Sequence, residues 1–129
     1  MHSRKNYALG FAAALALAFV TVASSYGQSK SGPGYVVVEL NVTDEAGFKE
    51  YAAKVPETIE KYGGTFIVQG GKVQTIEGAE PNGIIVILKF GGVEDAQNWL
   101  NSSEYSEIKG IRQKTAETRQ LLVEGLPSE

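Results

Sequence analysis

Apolar residues recur with two different periods along the chain, and these periods predict an alternation of strands and helices. Residues 35–42, "YVVVELNV", are rich in β-branched side chains and predict a first strand. Apolar residues then recur at helical spacing over residues 48–62, which predicts a helix capped by Thr43 or Asp44. Pro56 falls inside that helix, so we expect a kink or a restart there.

The middle of the chain allows two interpretations. Residues 65–69, "TFIVQ", predict a second strand, and Gly70-Gly71 follows it. The glycine pair is either a tight hairpin turn or a bulge inside one long bent strand over residues 65–77. We favour the bulge, because residues 78–83, "GAEPNG", form a stronger turn signal and already supply the hairpin.

The last third completes a four-stranded pattern. Residues 84–90, "IIVILKF", are nearly all apolar and predict a central strand buried on both faces. A short amphipathic helix follows, then a second helical segment capped by Ser102 or Ser103, and a final strand over residues 119–125. The order strand, helix, strand, strand, helix, strand is that of the ferredoxin-like α+β fold, with an antiparallel four-stranded sheet.

The two faces of the predicted sheet are unequal. One side of the first strand should carry the helices, with Val36, Val38, Leu40 and Val42 pointing toward them. The other side carries Val37, and the 84–90 strand is apolar on this side too. An apolar sheet face left in water usually finds a partner, so we expect a homodimer with two sheets face to face. The alternative is a monomer with an exposed apolar patch.

The N-terminus has the composition of an export signal. Arg4 and Lys5 precede an uncharged apolar run over residues 8–23, and small residues follow. This predicts a signal peptide over residues 1–27, cleaved after Ser25 or Gly27, and a periplasmic or secreted protein. An uncleaved membrane anchor is the alternative, although the apolar run is shorter than the roughly 20 residues that a spanning helix prefers.

The remaining chain divides into a flexible linker at residues 28–34, one domain at 35–125 and a tail at 126–129. Loss of the signal peptide removes two positive charges, so the formal net charge falls from −3 to −5. This acidic balance, without a basic stripe, predicts no nucleic-acid partner and no stable membrane association after signal cleavage.

The residue inventory removes whole classes of chemistry. The chain has no cysteine, and its single histidine, His2, lies in the predicted signal peptide. Ser-His-Asp and Cys-His catalysis, zinc sites of the usual kind and histidine-ligated haem are therefore excluded for the mature chain. No calcium-binding loop motif is present, and we expect no cofactor.

Two stretches carry a family resemblance. Residues 51–71, "YAAKVPETIEKYGGTFIVQGG", and residues 99–112, "WLNSSEYSEIKGIR", resemble the DUF1330 family, as does "VEG" near the end. The resemblance covers nearly all of residues 35–125. It implies a ferredoxin-like subunit of a dimeric α/β barrel, in a superfamily that includes cofactor-free monooxygenases and lactone isomerases. It implies no established reaction for the family itself.

An arginine occupies a helical line that should face the core. Tyr105, Ile108 and Arg112 fall at i, i+3 and i+7, so all three share one face of the predicted helix. The Arg112 guanidinium is a candidate to hold a ligand carboxylate or enolate, and the Tyr105 phenol is a candidate donor to an oxyanion. The alternatives are that Arg112 extends to water or pairs with an acid, and that Tyr105 only packs.

Other candidates complete a hypothetical site. Glu77, or Glu39 on the mixed face of the sheet, is a candidate general base if burial raises its pKa. The alternatives are a solvated strand end for Glu77 and an inter-subunit contact for Glu39. Four further side chains are candidates for ligand contact, against ordinary packing or helix capping: Tyr51, Trp99, Asn101 and Ser102.

Two functions are compatible with these residues. The first is binding of a small organic molecule in a dimeric α/β barrel. In one version of this hypothesis the protein is a cofactor-free oxygenase or isomerase. The second is a non-catalytic exported dimer that binds a ligand or a protein partner. An inward-pointing Arg112 beside a tyrosine and a carboxylate would favour chemistry, whereas a solvent-facing Arg112 would exclude it.

Overall fold

The computed structural model describes residues 31–129, so the predicted signal peptide and the first part of the linker lie outside the described residues. Within residues 31–129, no helix combines the length and apolarity needed to cross a membrane. The elements follow the order β1 (Gly34–Val42), α1 (Glu45–Lys61), β2 (Thr65–Gln69), β3 (Ile84–Phe90), α2 (Val93–Leu100), α3 (Ser103–Thr115) and β4 (Ala116–Glu124).

The four strands form one antiparallel sheet in the order β2-β3-β1-β4. The central strand β1 pairs with β3 on one side and with β4 on the other, so that Val37 lies opposite both Ile87 and Leu121. This topology confirms the ferredoxin-like α+β prediction, with the second helical region divided into α2 and α3.

The helices cover one face of the sheet, and the core lies between the two layers. Alternate residues of β1 point into this layer, and Val36, Val38 and Leu40 are buried as predicted. They pack with residues from each helix and from β3, among them Val55, Ile59, Leu88, Phe90, Ala96 and Trp99. The core therefore follows directly from the period-two pattern of β1 and the helical spacing of α1.

Side-chain caps set the helix starts. The Asp44 carboxylate accepts a hydrogen bond from the Gly47 amide at 3.1 Å, and the Ser102 hydroxyl accepts one from the Tyr105 amide at 3.1 Å. Pro56 lies within α1, yet the helix is a single element from Glu45 to Lys61. The expected restart at Pro56 is therefore wrong.

The prediction of one long bent strand over residues 65–77 is also wrong. β2 ends at Gln69, and residues 70–83 have no regular secondary structure and are almost entirely exposed. Gly70 has a positive φ of 70° and donates its amide to the Ile85 carbonyl at 2.9 Å, after which the chain leaves the sheet. The irregularity in pairing lies earlier, between Phe66 and Val68. The alternating "KVQTIE" segment does not become a strand because no neighbouring strand pairs with it.

The outer face of the sheet, opposite the helices, carries the predicted apolar surface. Leu121 and Val123 of β4 are 46% and 47% exposed, and Val37 and Ile87 beside them are only partly covered. Charged residues on the same face flank this cluster, with Arg119 opposite Glu39 and an Nη1–Oε1 distance of 3.5 Å. β3 is thus interior within the sheet, but only Leu88 and Phe90, both on the helix side, are buried.

An ion pair links the ends of α1 and α3 away from the outer face. The Lys61 ammonium contacts Glu104, and the Tyr62 hydroxyl donates to the same carboxylate at 3.0 Å. The hydrogen bond from Lys61, followed by the other hydrogen bonds to Glu104, lowers the pKa of this carboxyl to about 2. The same contact raises the pKa of Lys61.

Glu104→Gln tests this link through its pH dependence. Because folding lowers the Glu104 pKa from 4.5 to about 2, its stabilising effect is complete above pH 4.5 and is lost as pH falls toward 2. We expect the variant to melt at a lower temperature than wild type at pH 7, and the two to converge near pH 2, in circular-dichroism melts. Glu107→Gln, an exposed carboxylate of the same helix, is the control. An equal difference at every pH would contradict the assignment.

Candidate functional site

A cavity of about 140 Å³ lies between α1 and the helix-covered face of the sheet. Its wall is mainly apolar, with contributions from β1, β2, β3 and α1, including Leu40, Phe48, Val55, Ile59, Phe66 and Leu88. The lining residues that are exposed, Ala52, Gln69 and Ile84, mark the side on which the cavity opens. The cavity is the space that the two layers leave where α1 passes over the sheet.

Arg112 lies in the wall of this cavity and does not extend to water. It follows Tyr105 and Ile108 on the inward line of α3, and only 7% of its surface is exposed. Within residues 31–129 no acidic side chain forms an ion pair with it, and its Nε makes no hydrogen bond. A buried guanidinium without a counter-charge is costly, so an anion or a strong dipole next to it would stabilise the protein.

Two tyrosines lie next to Arg112. Burial raises the pKa of the Tyr51 phenol, Tyr105 raises it further, and the positive charge of Arg112 opposes both effects. Tyr51 therefore remains a neutral phenol at physiological pH and can donate a hydrogen bond. Tyr105 is 1% exposed, and its hydroxyl has no hydrogen-bond partner other than Tyr51 within the described residues. Tyr51 therefore adds a donor to the cavity wall beside Arg112, whereas Tyr105 packs against Tyr51 and Trp99 and is not part of that wall.

Trp99 forms part of the cavity wall and holds Tyr105 in place. Its ring centroid lies 4.2 Å from that of Tyr105, and its indole Nε1 donates to the Thr58 hydroxyl of α1 at 3.0 Å. The Ser102 hydroxyl donates to the Trp99 carbonyl at 2.7 Å while it caps α3. Ser102 therefore positions the aromatic pair without lining the cavity, and Asn101 is an exposed C-cap of α2.

The two candidate bases are not brought to the cavity. Glu77 lies in the exposed segment 70–83, and Glu39 lies on the outer face of the sheet beside Arg119. The geometry does not support either carboxylate as a proton acceptor next to Arg112. Tyr51, Tyr105, Trp99 and Arg112 are the predicted residues that the fold brings together.

The sequence reasoning missed two polar residues of β4. Gln120 lines the cavity, and together with Arg112 it also lines a shallow cleft beside β4 that contains Thr118. The Thr118 hydroxyl is buried and has no hydrogen-bond partner within residues 31–129. The sequence pattern did contain a signal for both residues. Thr118 and Gln120 lie on the same inward face of β4 as Leu122, and they are polar where the pattern predicts apolar residues.

The polar groups in the cavity wall are of a kind that can hold an oxygen anion. They are the Arg112 guanidinium, the neutral Tyr51 phenol and the amides of Gln69 and Gln120, in an otherwise apolar wall. Among residues 31–129, no group of three or more histidine, cysteine, aspartate or glutamate side chains is placed to hold a metal ion.

The fold and the site define a small ferredoxin-like α+β protein with an internal cavity. The family model described as a domain of unknown function, DUF1330, matches residues 33–126, and the chain belongs to this family. No curated protein shows significant sequence similarity to it.

Solved structures share the fold at low sequence identity. The protein of unknown function RPA0582 from Rhodopseudomonas palustris is 17% identical over 82% of this chain and 92% of its own, with a TM-score of 0.62. SnoaB, a cofactor-independent oxygenase from Streptomyces nogalater, is 9% identical over 78% of this chain and 97% of its own, with a TM-score of 0.51. These likenesses establish the fold.

Arg112→Met tests whether the buried charge is uncompensated. The substitution keeps an apolar stem and removes a guanidinium that has no ion-pair partner, so we expect the free energy of unfolding to rise by about 1–3 kcal/mol. Lys109→Met, which removes an exposed positive charge from the same helix, should change it by less than about 1 kcal/mol. Urea denaturation measures both. A loss of stability in Arg112→Met would show that the arginine already has a partner.

Proposed function

We propose that this protein binds a small, mainly apolar molecule in the cavity and anchors a polar oxygen of that molecule at Arg112. The observation that carries the proposal is a buried guanidinium that faces an apolar cavity without an acidic partner in residues 31–129. A ligand carboxylate, enolate or lactone carbonyl would supply the missing interaction. The apolar wall would contribute affinity by removing the body of the ligand from water.

Binding is favoured over turnover by the side chains that line the cavity. They include Tyr51, Gln69, Gln120 and Arg112 but no carboxylate or imidazole. The raised pKa of Tyr51 keeps its phenol protonated, so it donates a hydrogen bond and does not accept a proton. The residues in the cavity wall are therefore better suited to binding an anionic oxygen than to catalysing proton transfer.

A cofactor-free oxygenase or isomerase is the second candidate function, and the donor cluster is what supports it. Arg112 with Tyr51, both in the cavity wall, would stabilise an enolate formed on the substrate. Such a reaction would require a substrate acidic enough to lose its proton to water, because the cavity wall supplies no base. This restricts the reaction to substrates that are already activated toward enolisation.

A homodimer through the outer face of the sheet is part of the same proposal. The exposed cluster around Val37, Ile87, Leu121 and Val123 is apolar, and opposite charges flank it at Glu39 and Arg119. A second copy would cover this cluster with an identical surface, and the flanking charges are arranged for complementary contact. Two such sheets face to face would form a dimeric α/β barrel with one cavity in each subunit.

Export is the proposed location. The basic residues Arg4 and Lys5, followed by the apolar run over residues 8–23, support a signal peptide. A mature chain without cysteine would then depend on its core and its dimer contact, and not on disulfides, for stability outside the cytoplasm.

A thermal-shift screen of the purified protein tests the ligand site. Small carboxylates, phenols and lactones are compared on wild type, Arg112→Met and Arg119→Met. A ligand at a hundred times its Kd should stabilise wild type by about 2.7 kcal/mol. We expect Arg112→Met to lose this stabilisation and Arg119→Met to retain it, because only Arg112 lines the cavity.

Equal shifts in wild type and Arg112→Met would place the ligand elsewhere and contradict the proposed site. A screen in which no compound stabilises wild type would contradict the binding function itself.

Leu121→Lys tests the dimer. The residue is 46% exposed in the single chain, so the subunit should still fold, but the new charge would be buried when two sheets meet. Sedimentation equilibrium should show wild type at the mass of two chains and a dimer dissociation constant at least about tenfold higher for the variant. Asn98→Lys, an exposed change on α2, should leave association unaltered. A monomeric wild type would overturn this part of the proposal.

A further inference from the structure

The cavity has a polar end and an apolar end. Arg112 and Gln120 lie toward β4, which forms one edge of the sheet, whereas the exposed Gln69 lies on β2, the opposite edge. Between them the wall consists of aliphatic and aromatic side chains such as Phe48, Ile59 and Leu88. A bound molecule is therefore oriented, with its polar group at the β4 end and its apolar body between α1 and the sheet.

The polar end is built from hydrogen-bond donors. Arg112 Nε is buried without a hydrogen-bond partner within residues 31–129, and so is the Thr118 hydroxyl in the cleft beside β4 that Arg112 also lines. The neutral Tyr51 phenol adds another donor. One positive charge among several donors favours a monoanion, and a planar guanidinium matches the two oxygens of a carboxylate. A doubly charged phosphate would leave one negative charge uncompensated away from water.

The volume of the cavity limits the size of the body. An apolar cavity of about 150 Å³ lined by aliphatic and aromatic residues is enough to hold benzene. The cavity in this protein is of the same size, about 140 Å³. It therefore encloses one six-membered ring or a short branched chain, and a fused second ring would extend through the open side into water.

We propose that the ligand is a compact monocarboxylic acid with a single ring or a short branched chain, held with its carboxylate against Arg112 as the counter-ion. This inference rests on the proposed function, because it specifies the molecule that the cavity takes. Benzoate is the simplest probe of the class.

Four probes on the purified wild-type protein test the ligand class by isothermal titration calorimetry. Benzoate should bind at least tenfold more tightly than benzamide, which has the same shape without the charge. Toluene should bind more weakly than benzoate, and 2-naphthoate should bind no more tightly than benzoate, because its second ring would lie outside the cavity and remain in water.

Gln120→Glu tests the role of the carboxylate as counter-ion. Gln120, like Arg112, lines both the cavity and the cleft beside β4. A glutamate at this position would supply an internal carboxylate to Arg112 and displace the ligand. We expect benzoate affinity to fall at least tenfold while toluene affinity stays within twofold. Gln113→Glu is the matched control, because Gln113 lines only the cleft and is exposed; it should keep benzoate binding.

The outcomes separate the two proposals. If benzamide, toluene or a lactone binds wild type as tightly as benzoate, the cavity is a ligand site but the carboxylate inference fails. The inference also fails if Gln120→Glu binds benzoate as tightly as wild type does. If no probe binds and the thermal-shift screen is also negative, the proposed function fails with it.

Discussion

The packing of three helices against one face of a four-stranded sheet is the constraint on which the rest of this molecule depends. It buries alternate residues of β1, including Val36 and Val38, and leaves Val37 on the side that no helix or strand of residues 31–129 covers. It also leaves the cavity, because α1 and the sheet do not fill the space between them completely. The packing of all three helices on one face of the sheet thus produces both the candidate ligand site and the candidate subunit interface.

Arg112 links this packing to function. A helix in this position would ordinarily complete an apolar core, and Tyr105 and Ile108 do so on the same line of α3. Arg112 at the next inward position lowers the stability of the fold, because its charge is removed from water without an ion-pair partner in residues 31–129. Destabilising residues of this kind are concentrated at functional sites, where a bound molecule supplies the missing interaction.

Local patterns were sufficient for most of the fold and for the central residue of the site. The β-branched run of β1, the caps at Asp44 and Ser102 and the helical line through Arg112 are all properties of neighbouring residues. The "KVQTIE" stretch failed because a strand needs a partner, and its pattern carries no information about whether a neighbour exists. Glu77 was misplaced with it, because its proposed position depended on that strand. Gln120 carries a local signal, because it is polar on the inward face of β4, but only the packing of the helices shows that this polar residue faces a cavity.

The position of Trp99 has a practical consequence. It is the single tryptophan of the chain, it lines the cavity, and its ring packs against Tyr105 while its indole nitrogen is hydrogen-bonded to Thr58. Entry of a molecule beside it would alter the polarity around one buried indole without interference from any other. The protein therefore carries an intrinsic fluorophore at the place where occupancy matters, and its emission can be followed without attaching a label.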